Sequence, residues 1–446
     1  MKFYIIITTI RFEIERIGNM KNKKLNYLLL CLLSTALGFV CGIIVWAILK
    51  VINILTELIW DIAPEYIGIH PLVYNLIVCV IGAIAIVLFA KKFGELPHLT
   101  EEVFEMIKKD GGYPYNRLLI CIMAAVIPLI FGGTLGPEAG LVGVIAGLCC
   151  WVGDNLKYRG EKLQTLAETG FSIALGIVFF TPLPGIVANI EPDNKKEKYS
   201  QKFKNKANRI VIYCLGVAGG FLAMFVFGLL WEMLFPGFGE GGLPHFVKDF
   251  WFDPMLLLWA IPIIALGIIV GGLYSGLDLG LQKVRKLFKK NRIVPALLAA
   301  VALAVCGYFF PDSIFSGEHQ LQPIADNFES YDASYLFIIS ALKIVLVCVC
   351  LNFGWRGGSI FPIISGLSFA ALAVALLADI NGHFAMAVCI SAGYAYICRK
   401  PIMAAALLLL CFPPSYLPIV IISAFIASKV PNPFLPKDVD DEKFKK

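Results

Sequence analysis

Charged residues are scarce in this sequence: they make up 16% of its 446 residues, whereas hydrophobic residues make up 59%. A soluble globular protein carries about 25% charged residues, which cover the surface that faces water. With so few charges, most of the surface of this chain must face lipid instead. The regular alternation of apolar and polar residues that is typical of outer-membrane β-barrels is also absent. The sequence therefore predicts an all-α membrane protein that crosses the bilayer several times.

Histidine is rare too, and its five copies are scattered in or near loops without a nucleophile or metal-ligating partner at a usable spacing. They are His70, His98, His245, His319 and His383. Acid–base and metal-dependent catalysis need such partners close together. The thirteen cysteines lie inside apolar segments, where thiols usually act as small hydrophobic groups. We therefore predict that the chain is not an enzyme and holds no metal or cofactor; a membrane-embedded enzyme that uses Glu318 and His319 is a remote alternative.

Several windows lack any charged residue. They cover residues 27–49, 72–90, 118–137, 169–190, 210–231, 254–277, 357–378 and 401–428. A helix that spans the bilayer needs about 20 apolar residues, so several of these windows are long enough. Other charge-free windows, such as 139–153 and 293–311, are shorter. Short apolar pieces between long ones indicate tilted or broken helices.

The net charge of +6 is unevenly distributed along the chain. The connections at 91–92, 108–109, 157–162, 195–209 and 283–292 are basic, whereas residues 312–332 contain no lysine or arginine. By the positive-inside rule, the basic loops and the C-terminus lie in the cytoplasm and the acidic stretches lie outside the cell membrane. Such loops do not indicate a nucleic-acid partner, because a solvated inner face explains their charge.

Three segments combine glycine with proline inside apolar sequence: 93–97, 131–140 and 357–362. Proline is well suited to the first turn of a helix, so each segment predicts a loop that opens a new helix at membrane depth. Irregular backbone at that depth is tolerated where it is buried in protein or lines a cavity. The free N–H groups of such helix starts bind anions without a basic side chain. A single segment of this kind would indicate only a kink in a packed helix, but three together favour an anion site.

The breaks recur in two halves of the chain. Gly-Pro-Glu at 136–138 is followed by Thr-Pro-Leu-Pro-Gly at 181–185, and Ser-Ile-Phe-Pro at 359–362 is followed by Arg-Lys-Pro-Ile-Met at 399–403. Corresponding breaks in two halves indicate an inverted-repeat transporter with its site near the midplane. The predicted organisation along the chain is a disordered extension at 1–19, a first membrane repeat with a cytoplasmic loop at 20–206, a second membrane repeat at 207–430 and a short cytoplasmic tail at 431–446.

Glu138 lies beside the first break, with long uncharged sequence on both sides. A carboxylate inside the membrane is energetically costly and marks a functional site by default. At a helix N-terminus, the amides that attract an anion would also stabilise this side chain. Glu138 could thus compete with the anion and leave when it is protonated or displaced. A solvent-exposed helix cap is the alternative interpretation.

These segments resemble the CLC family of voltage-gated chloride channels and proton/chloride antiporters. Residues 135–140 are similar to the family's G-x-E-G-P segment, residues 358–362 to its G-x-F-x-P segment, and residues 93–97 more weakly to its G-S-G-I-P segment. The resemblance implies a CLC-like inverted repeat of tilted and broken helices, homodimeric, with chloride or another small anion as its partner in the lipid bilayer. It also implies that Glu138 is the gate. The anion-binding residues that it implies are Gly94, Gly136, Pro137, Ala139, Gly140, Gly358, Ser359, Ile360 and Phe361.

The chain also departs from the family pattern. Gly94 occupies the position of the chloride-binding serine, and Pro192 falls where the antiporters have an internal proton glutamate, which leaves the neighbouring Glu191 as the candidate proton site. The family's pore tyrosine has no clear match near the C-terminus. These losses favour passive anion permeation gated by Glu138, with proton-coupled chloride exchange as the alternative. Selectivity for chloride, fluoride or nitrate stays open.

Overall fold

The structure is a computed structural model that describes residues 23–158, 161–179, 181, 183–190, 199–234, 254–289, 291–408 and 411–434. Residues 1–19, Glu191 and most of the tail at 431–446 lie outside these ranges, so the predictions made for them stay predictions. The helices of the first half are α1 (Lys23–Glu57), α2 (Ala63–Ile67), α3 (Pro71–Phe93), α4 (Thr100–Asp110), α5 (Leu118–Ile130), α6 (Glu138–Asn155), α7 (Glu161–Val178), α8 (Leu183–Ile190) and α9 (Tyr199–Leu234). Those of the second half are α10 (Pro254–Leu287), α11 (Ile293–Phe309), α12 (Glu318–Asp326), α13 (Ala333–Asn352), α14 (Ile360–Ala378), α15 (Gly382–Cys398), α16 (Pro401–Leu408) and α17 (Leu417–Lys429).

Every regular element within the described residues is a helix. Six helical stretches are long and apolar enough to cross a membrane, and they are Tyr27–Ile67, Pro71–Phe93, Arg209–Leu234, Leu256–Leu287, Ala333–Asn352 and Ile360–Ala378. Shorter apolar helices, such as Leu118–Ile130 and Ile293–Phe309, accompany them. The prediction of an all-α polytopic membrane protein with broken helices is confirmed.

Window 169–190 holds the end of α7 and all of α8, and two further charge-free windows are interrupted as well. In window 118–137, α5 ends at Ile130 and the next helix begins at Glu138. In window 401–428, α16 and α17 are separate, with a short 3₁₀ turn at Pro414–Tyr416 before α17. Glycine and proline account for both breaks, because residues 132, 133 and 136 are glycine and residues 413 and 414 are proline. Apolar composition alone does not show where a helix stops.

The two halves use the same packing order. The neighbours α5, α6 and α7 pack in sequence, as do α13, α14 and α15. Helix α6 begins 67 residues after α3 (71 to 138), and α14 begins 67 residues after α11 (293 to 360). The contacts between the halves join matching elements, since α3 packs against α11 and α8 packs against α16. A twofold-related repeat produces this pattern, because elements on the axis meet their own counterparts.

Helix α9 runs through the predicted boundary between residues 206 and 207. Its main partners are α1, α7 and α8, which belong to the first half. Helix α10, by contrast, packs mainly against α13 and α15 of the second half. The division of the chain into the two predicted repeats stays a prediction.

Helices α1 and α9 approach each other at glycine residues, where no side chain separates the two backbones. A Cβ atom on Gly38 would lie 1.8 Å from the carbonyl oxygen of Gly216, and one on Gly42 would lie 2.5 Å from that of Gly220. Small residues four apart allow membrane helices to approach closely, which increases dispersion contacts where no water drives association. This close packing fixes α1 against α9 and α7.

The middle of each half is the most enclosed part of the fold. In the hydrophobic window of α14, 78% of the residues are buried, compared with 28% in that of α3. Almost every described residue of α6 is buried as well. Helices α6 and α14 therefore lie inside the protein while α3 faces lipid, so the loops that open α6 and α14 are at the centre of the molecule.

Candidate functional site

The loops that precede α6 and α14 meet as a small antiparallel bridge. The N–H of Gly136 donates to the carbonyl oxygen of Gly358 over 2.8 Å, and the N–H of Gly358 donates to the carbonyl oxygen of Gly136 over 2.8 Å. Each glycine lies two residues before the first residue of its helix. The bridge therefore holds two helix N-termini beside each other inside the protein.

Glu138 is the first residue of α6, and its side chain is fully buried. Its Oε1 accepts a hydrogen bond from the N–H of Ile360, the first residue of α14, over 2.8 Å. The backbone N–H groups of Phe361 and of Glu138 itself also interact with the carboxylate. Within the described part of the chain, Oε2 has no hydrogen-bond partner. The carboxylate thus lies between the two N-termini and is held by backbone amides.

The two bridge glycines make room for this carboxylate. A Cβ atom on Gly136 would lie 1.9 Å from Oε2 of Glu138, and one on Gly358 would lie 1.9 Å from its Cδ. Any other residue at either position would displace the glutamate side chain. Because these glycines have no side chain, each loop leaves space beside its backbone for a negatively charged group.

Such an arrangement can bind a small anion. The first N–H groups of a helix lack partners within the helix and carry partial positive charge, so two adjacent helix starts attract an anion without a full cation. A site of this kind binds strongly enough to admit an ion and weakly enough to release it. Because the carboxylate of Glu138 occupies those amides, it would have to leave before an anion could take its place.

A cavity of about 400 Å³ lies on one side of the bridge. Leu135 and Pro137 form part of its wall, so it reaches the residue before Glu138. Three carboxylate side chains line it as well: Glu57, Asp61 and Glu318. Glu318 lies within electrostatic range of Glu138. This cavity is an acidic vestibule, in which protons are favoured over anions close to Glu138.

Two tyrosines and a further carboxylate approach the site from other elements. The Tyr274 side chain on α10 interacts with that of Ser359, the residue before α14. Tyr394 on α15 is buried and within electrostatic range of both Glu138 and Glu101. Glu101 lies in the first turn of α4 and its side chain is exposed. Tyr394 therefore lies within electrostatic range of carboxylates on both α6 and α4.

The structure brings most of the predicted anion-binding residues together. Gly136, Pro137, Ala139 and Gly140 lie at the start of α6, and their counterparts Gly358, Ser359, Ile360 and Phe361 lie at the start of α14. The carboxylate accepts from the amide of Ile360 and interacts with that of Phe361, two of the predicted residues. The roles of these residues in binding an anion stay predictions.

Gly94 is placed differently. It ends α3 with a φ of 91°, a left-handed conformation that favours glycine, and no atom lies within 4 Å of the position that its Cβ would take. The segment that follows it does approach α6, because Pro97 lies near Gly140. Arg356 also donates to the carbonyl oxygens of Glu95 and Pro97, over 3.4 and 3.3 Å. The weakly matching third motif therefore packs beside α6, and the role of Gly94 in binding an anion stays a prediction.

One buried cation near the site is not among the residues predicted from the sequence. Lys343, in the middle of α13, is fully buried and donates from Nζ to the carbonyl oxygens of Ile314 and Phe315, over 2.8 and 3.3 Å. It fixes the segment that leads to Ser316 and Glu318 at the acidic vestibule. The sequence does contain a signal for it, since a single lysine interrupts a long apolar helix. Tyr274 and Tyr394 gave no such signal, because tyrosine is common in apolar helices.

Fold and site together define a class of protein: a membrane transporter or channel built from an inverted repeat, with paired helix N-termini at its centre. A family model described as "Voltage gated chloride channel" matches residues 82–432. A relative from Escherichia coli named "Putative ion-transport protein YfeO" is 23% identical over 365 residues, which cover 78% of this chain and 79% of the relative.

Solved structures show the same fold. A CLC-type fluoride/proton antiporter superimposes with a TM-score of 0.70 at 16% identity, covering 93% of this chain and 98% of the antiporter. A slow cyanobacterial Cl⁻/H⁺ antiporter gives a TM-score of 0.70 at 18% identity, covering 91% of this chain and 95% of that protein.

The chain belongs to the voltage-gated chloride channel family, also called the CLC family. Members of this family are channels and transporters of chloride and related small anions, not enzymes. The family and fold predicted from the sequence are thus confirmed. The orientation in the membrane and the homodimer stay predictions.

Proposed function

We propose that this protein conducts chloride or another small anion across the membrane, and that Glu138 is the gate. The observation that carries the proposal is the hydrogen bond from the N–H of Ile360 to Oε1 of Glu138, because it places a carboxylate on the amides that would bind an anion. The carboxylate and the anion cannot share those amides. Permeation therefore requires Glu138 to be protonated or displaced.

The first candidate for the transport mode is passive, channel-like permeation. It rests on the sequence, where the antiporters' internal glutamate and pore tyrosine have no direct match. Protonation of Glu138 would release the amides, and the anion would then move down its gradient. Acid would increase the flux in this mode.

The second candidate is proton-coupled exchange. It is favoured by the carboxylate of Glu318, which lies in the acidic vestibule within electrostatic range of Glu138. Glu101 and Tyr394 provide polar groups beyond Glu138. Glu318 could deliver a proton to Glu138, and Glu101 could receive it, so a proton route does not depend on Glu191.

Liposomes that contain the purified protein test both modes. Under an imposed chloride gradient, chloride efflux and proton movement are measured in the same vesicles at pH values from about 4.5 to about 7.5. Above the pKa of a carboxyl group, its protonated fraction falls about tenfold per pH unit, so a Glu138 gate makes the wild-type flux fall steeply as pH rises. Glutamine cannot ionise, so we expect Glu138→Gln to conduct faster than wild type at neutral pH and to lose the pH dependence.

Glu105→Gln is the matched control, because Glu105 is an exposed carboxylate on α4. It should behave like the wild type. Uphill proton movement driven by chloride would establish exchange, and chloride efflux without proton movement would establish a channel. A Glu138→Gln variant with the wild-type pH profile would rule out Glu138 as the gate.

A further inference from the structure

A second cavity, of about 390 Å³, lies away from Glu138 near the ends of several helices. Its apolar wall comes from two helices that pack against each other, α3 and α5. The wall residues are Ile86, Val87, Phe89, Ala124, Ile127 and Pro128. Leu351 and Phe353 complete the apolar lining, and the side chain of Asn352, which also lines the cavity, donates to Asp278 and to the carbonyl oxygen of Cys348.

The rim of this cavity is strongly basic. Five cationic side chains and one carboxylate line it, and they are Arg285, Lys286, Lys289, Arg292, Arg356 and Glu95. Glu95 is shared by two of the cations, with contacts of 3.1 Å to Arg292 and 3.1 Å to Arg356. The rim therefore keeps a clear excess of positive charge.

Two lysines provide half of that excess. Lys286 and Lys289 are exposed and, within the part of the chain that the structure describes, neither has a carboxylate partner. Arg285 holds the turn that carries them, because its Nη1 donates to the carbonyl oxygens of Lys289 and Asn291, over 3.5 and 3.2 Å. The last turn of α10, with Lys286, and the turn that follows it, with Lys289, thus present two ammonium groups at the mouth of an apolar cavity.

The surface around the mouth faces lipid. On the same two helices, Leu88 is 61% exposed, Leu119 is 77% exposed and Met123 is 55% exposed. The basic end of α3, with Lys91 and Lys92 in its last turn, is on the side predicted to be cytoplasmic. Anionic lipids are concentrated in the cytoplasmic leaflet. The cavity is therefore open to acyl chains on one side and to headgroups on the other.

We propose that this cavity binds an anionic phospholipid, with its phosphate between Lys286 and Lys289 and part of one acyl chain along the wall of α3 and α5. The charge of the rim and the apolar wall fit the two ends of such a molecule. A free phosphate has no acyl chain to pack against the apolar wall. A neutral lipid has no net negative charge to interact with the basic rim. Basic pockets between membrane helices on the cytoplasmic side bind headgroups of this kind.

The bound lipid would contact a residue that also fixes the neighbourhood of the gate. Arg356 lines the cavity, pairs with Glu95 and Glu102, and donates to the carbonyl oxygen of Pro97. It lies two residues before Gly358 of the bridge. This site is consequently in a position to make transport depend on lipid composition, although the binding itself does not require the proposed gating.

Native mass spectrometry of the full-length protein tests the proposal. The protein is presented with equal amounts of dioleoylphosphatidylglycerol and dioleoylphosphatidylcholine, and retention of each lipid is measured. Each cation near a headgroup contributes about 1 kcal/mol, so removing two of them with Lys286→Gln/Lys289→Gln should weaken phosphatidylglycerol retention about tenfold or more. The control Lys109→Gln/Lys429→Gln removes two exposed lysines from the last turns of α4 and α17, outside the cavity, and should change little.

A second pair of variants keeps every charge. Ala90→Phe fills the cavity from the last turn of α3 and should lower phosphatidylglycerol retention, whereas Leu88→Phe, on the lipid-facing side of the same helix, should not. Equal retention of the two lipids by the wild type would overturn the proposal. So would equal losses in both lysine variants, or full competition by soluble glycerol phosphate, which would indicate a site for free anions. A fall in chloride flux in Lys286→Gln/Lys289→Gln with unchanged lipid retention would identify the cavity as an anion entrance instead and would overturn the lipid site.

Discussion

Gly136 and Gly358 determine how the Glu138 carboxylate is seated. The three atoms nearest to a Cβ on Gly136 all belong to that carboxylate, the closest at 1.9 Å. The carboxylate is the movable end of a flexible side chain, so Gly136→Ala should displace it while the bridge between the loops stays intact. We expect the displaced carboxylate to leave the N–H of Ile360, so that chloride flux at neutral pH rises above the wild-type flux and depends less on pH. The flux assay in liposomes measures both effects.

Gly272→Ala on α10 is the control for this substitution, because its Cβ would meet only Tyr396, at an ordinary distance of 3.8 Å. Its flux should match the wild type. If Gly136→Ala folds and conducts with the wild-type pH dependence, then the seat of the carboxylate in this structure does not control permeation.

At the scale of single residues, local sequence predicted part of the site. Glu138 could be identified because a carboxylate after Gly-Pro in a long uncharged stretch is costly and therefore informative. The partners of that carboxylate could be identified only by a family resemblance, since Ile360 is 222 residues away from it. The interaction of Tyr274 with Ser359 could not be predicted at all, because no local pattern distinguishes a tyrosine near the site from one that faces lipid.

The pairing of α1 with α9 depends on glycines that approach to backbone contact. The two helices have Gly38 and Gly42 on one side and Gly216 and Gly220 on the other, and a Cβ on Gly38 would lie 1.8 Å from a carbonyl oxygen. A backbone atom cannot move aside as a side chain can. Gly38→Ala should therefore push the helices apart and destabilise the protein by about 1–3 kcal/mol, as overpacked cores do. The midpoint of thermal unfolding in detergent measures the loss.

Gly228→Ala is the matched control on α9, since no atom lies within 4 Å of the new Cβ. Alanine is favoured over glycine inside a helix by about 1 kcal/mol, so this variant should be as stable as the wild type or slightly more so. If Gly38→Ala has the same midpoint of thermal unfolding as the wild type, the two helices are further apart than the structure places them.

At the scale of elements, sequence predicted helix existence better than helix ends or partners. The apolar windows located α3, α10 and α14, because an uncharged apolar run of about 20 residues has the length of a helix that spans the bilayer. The windows 118–137 and 401–428 did not predict where their helices end, because glycine and proline end a helix without changing hydropathy. The spacing Gly-x-x-x-Gly in α1 and α9 is visible in the sequence, but which two helices it joins is decided by the tertiary fold.

For the whole molecule, the repeat explains why two helix N-termini meet at the centre. Because the halves are related by a twofold axis in the membrane plane, the helix starts at Glu138 and Ile360 approach from opposite sides and meet at the bridge. One helix N-terminus alone would offer fewer amides, because Ile360 and Phe361 belong to α14 and Glu138 to α6. The acidic vestibule and the basic cavity are then on different sides of this centre, which agrees with the charge distribution along the chain.

That distribution leads to a prediction about orientation, which labelling with a membrane-impermeant maleimide checks in intact cells. Glu329→Cys lies in the acidic stretch and is exposed, so it should react from outside. Lys109→Cys is exposed at the basic end of α4 and should react only after the membrane is permeabilised. The wild type sets the background for the native cysteines; the exposed one, Cys214, lies in the apolar helix α9. If Lys109→Cys reacts in intact cells and Glu329→Cys does not, the orientation is opposite to the predicted one. The basic cavity would then lie in the outer leaflet.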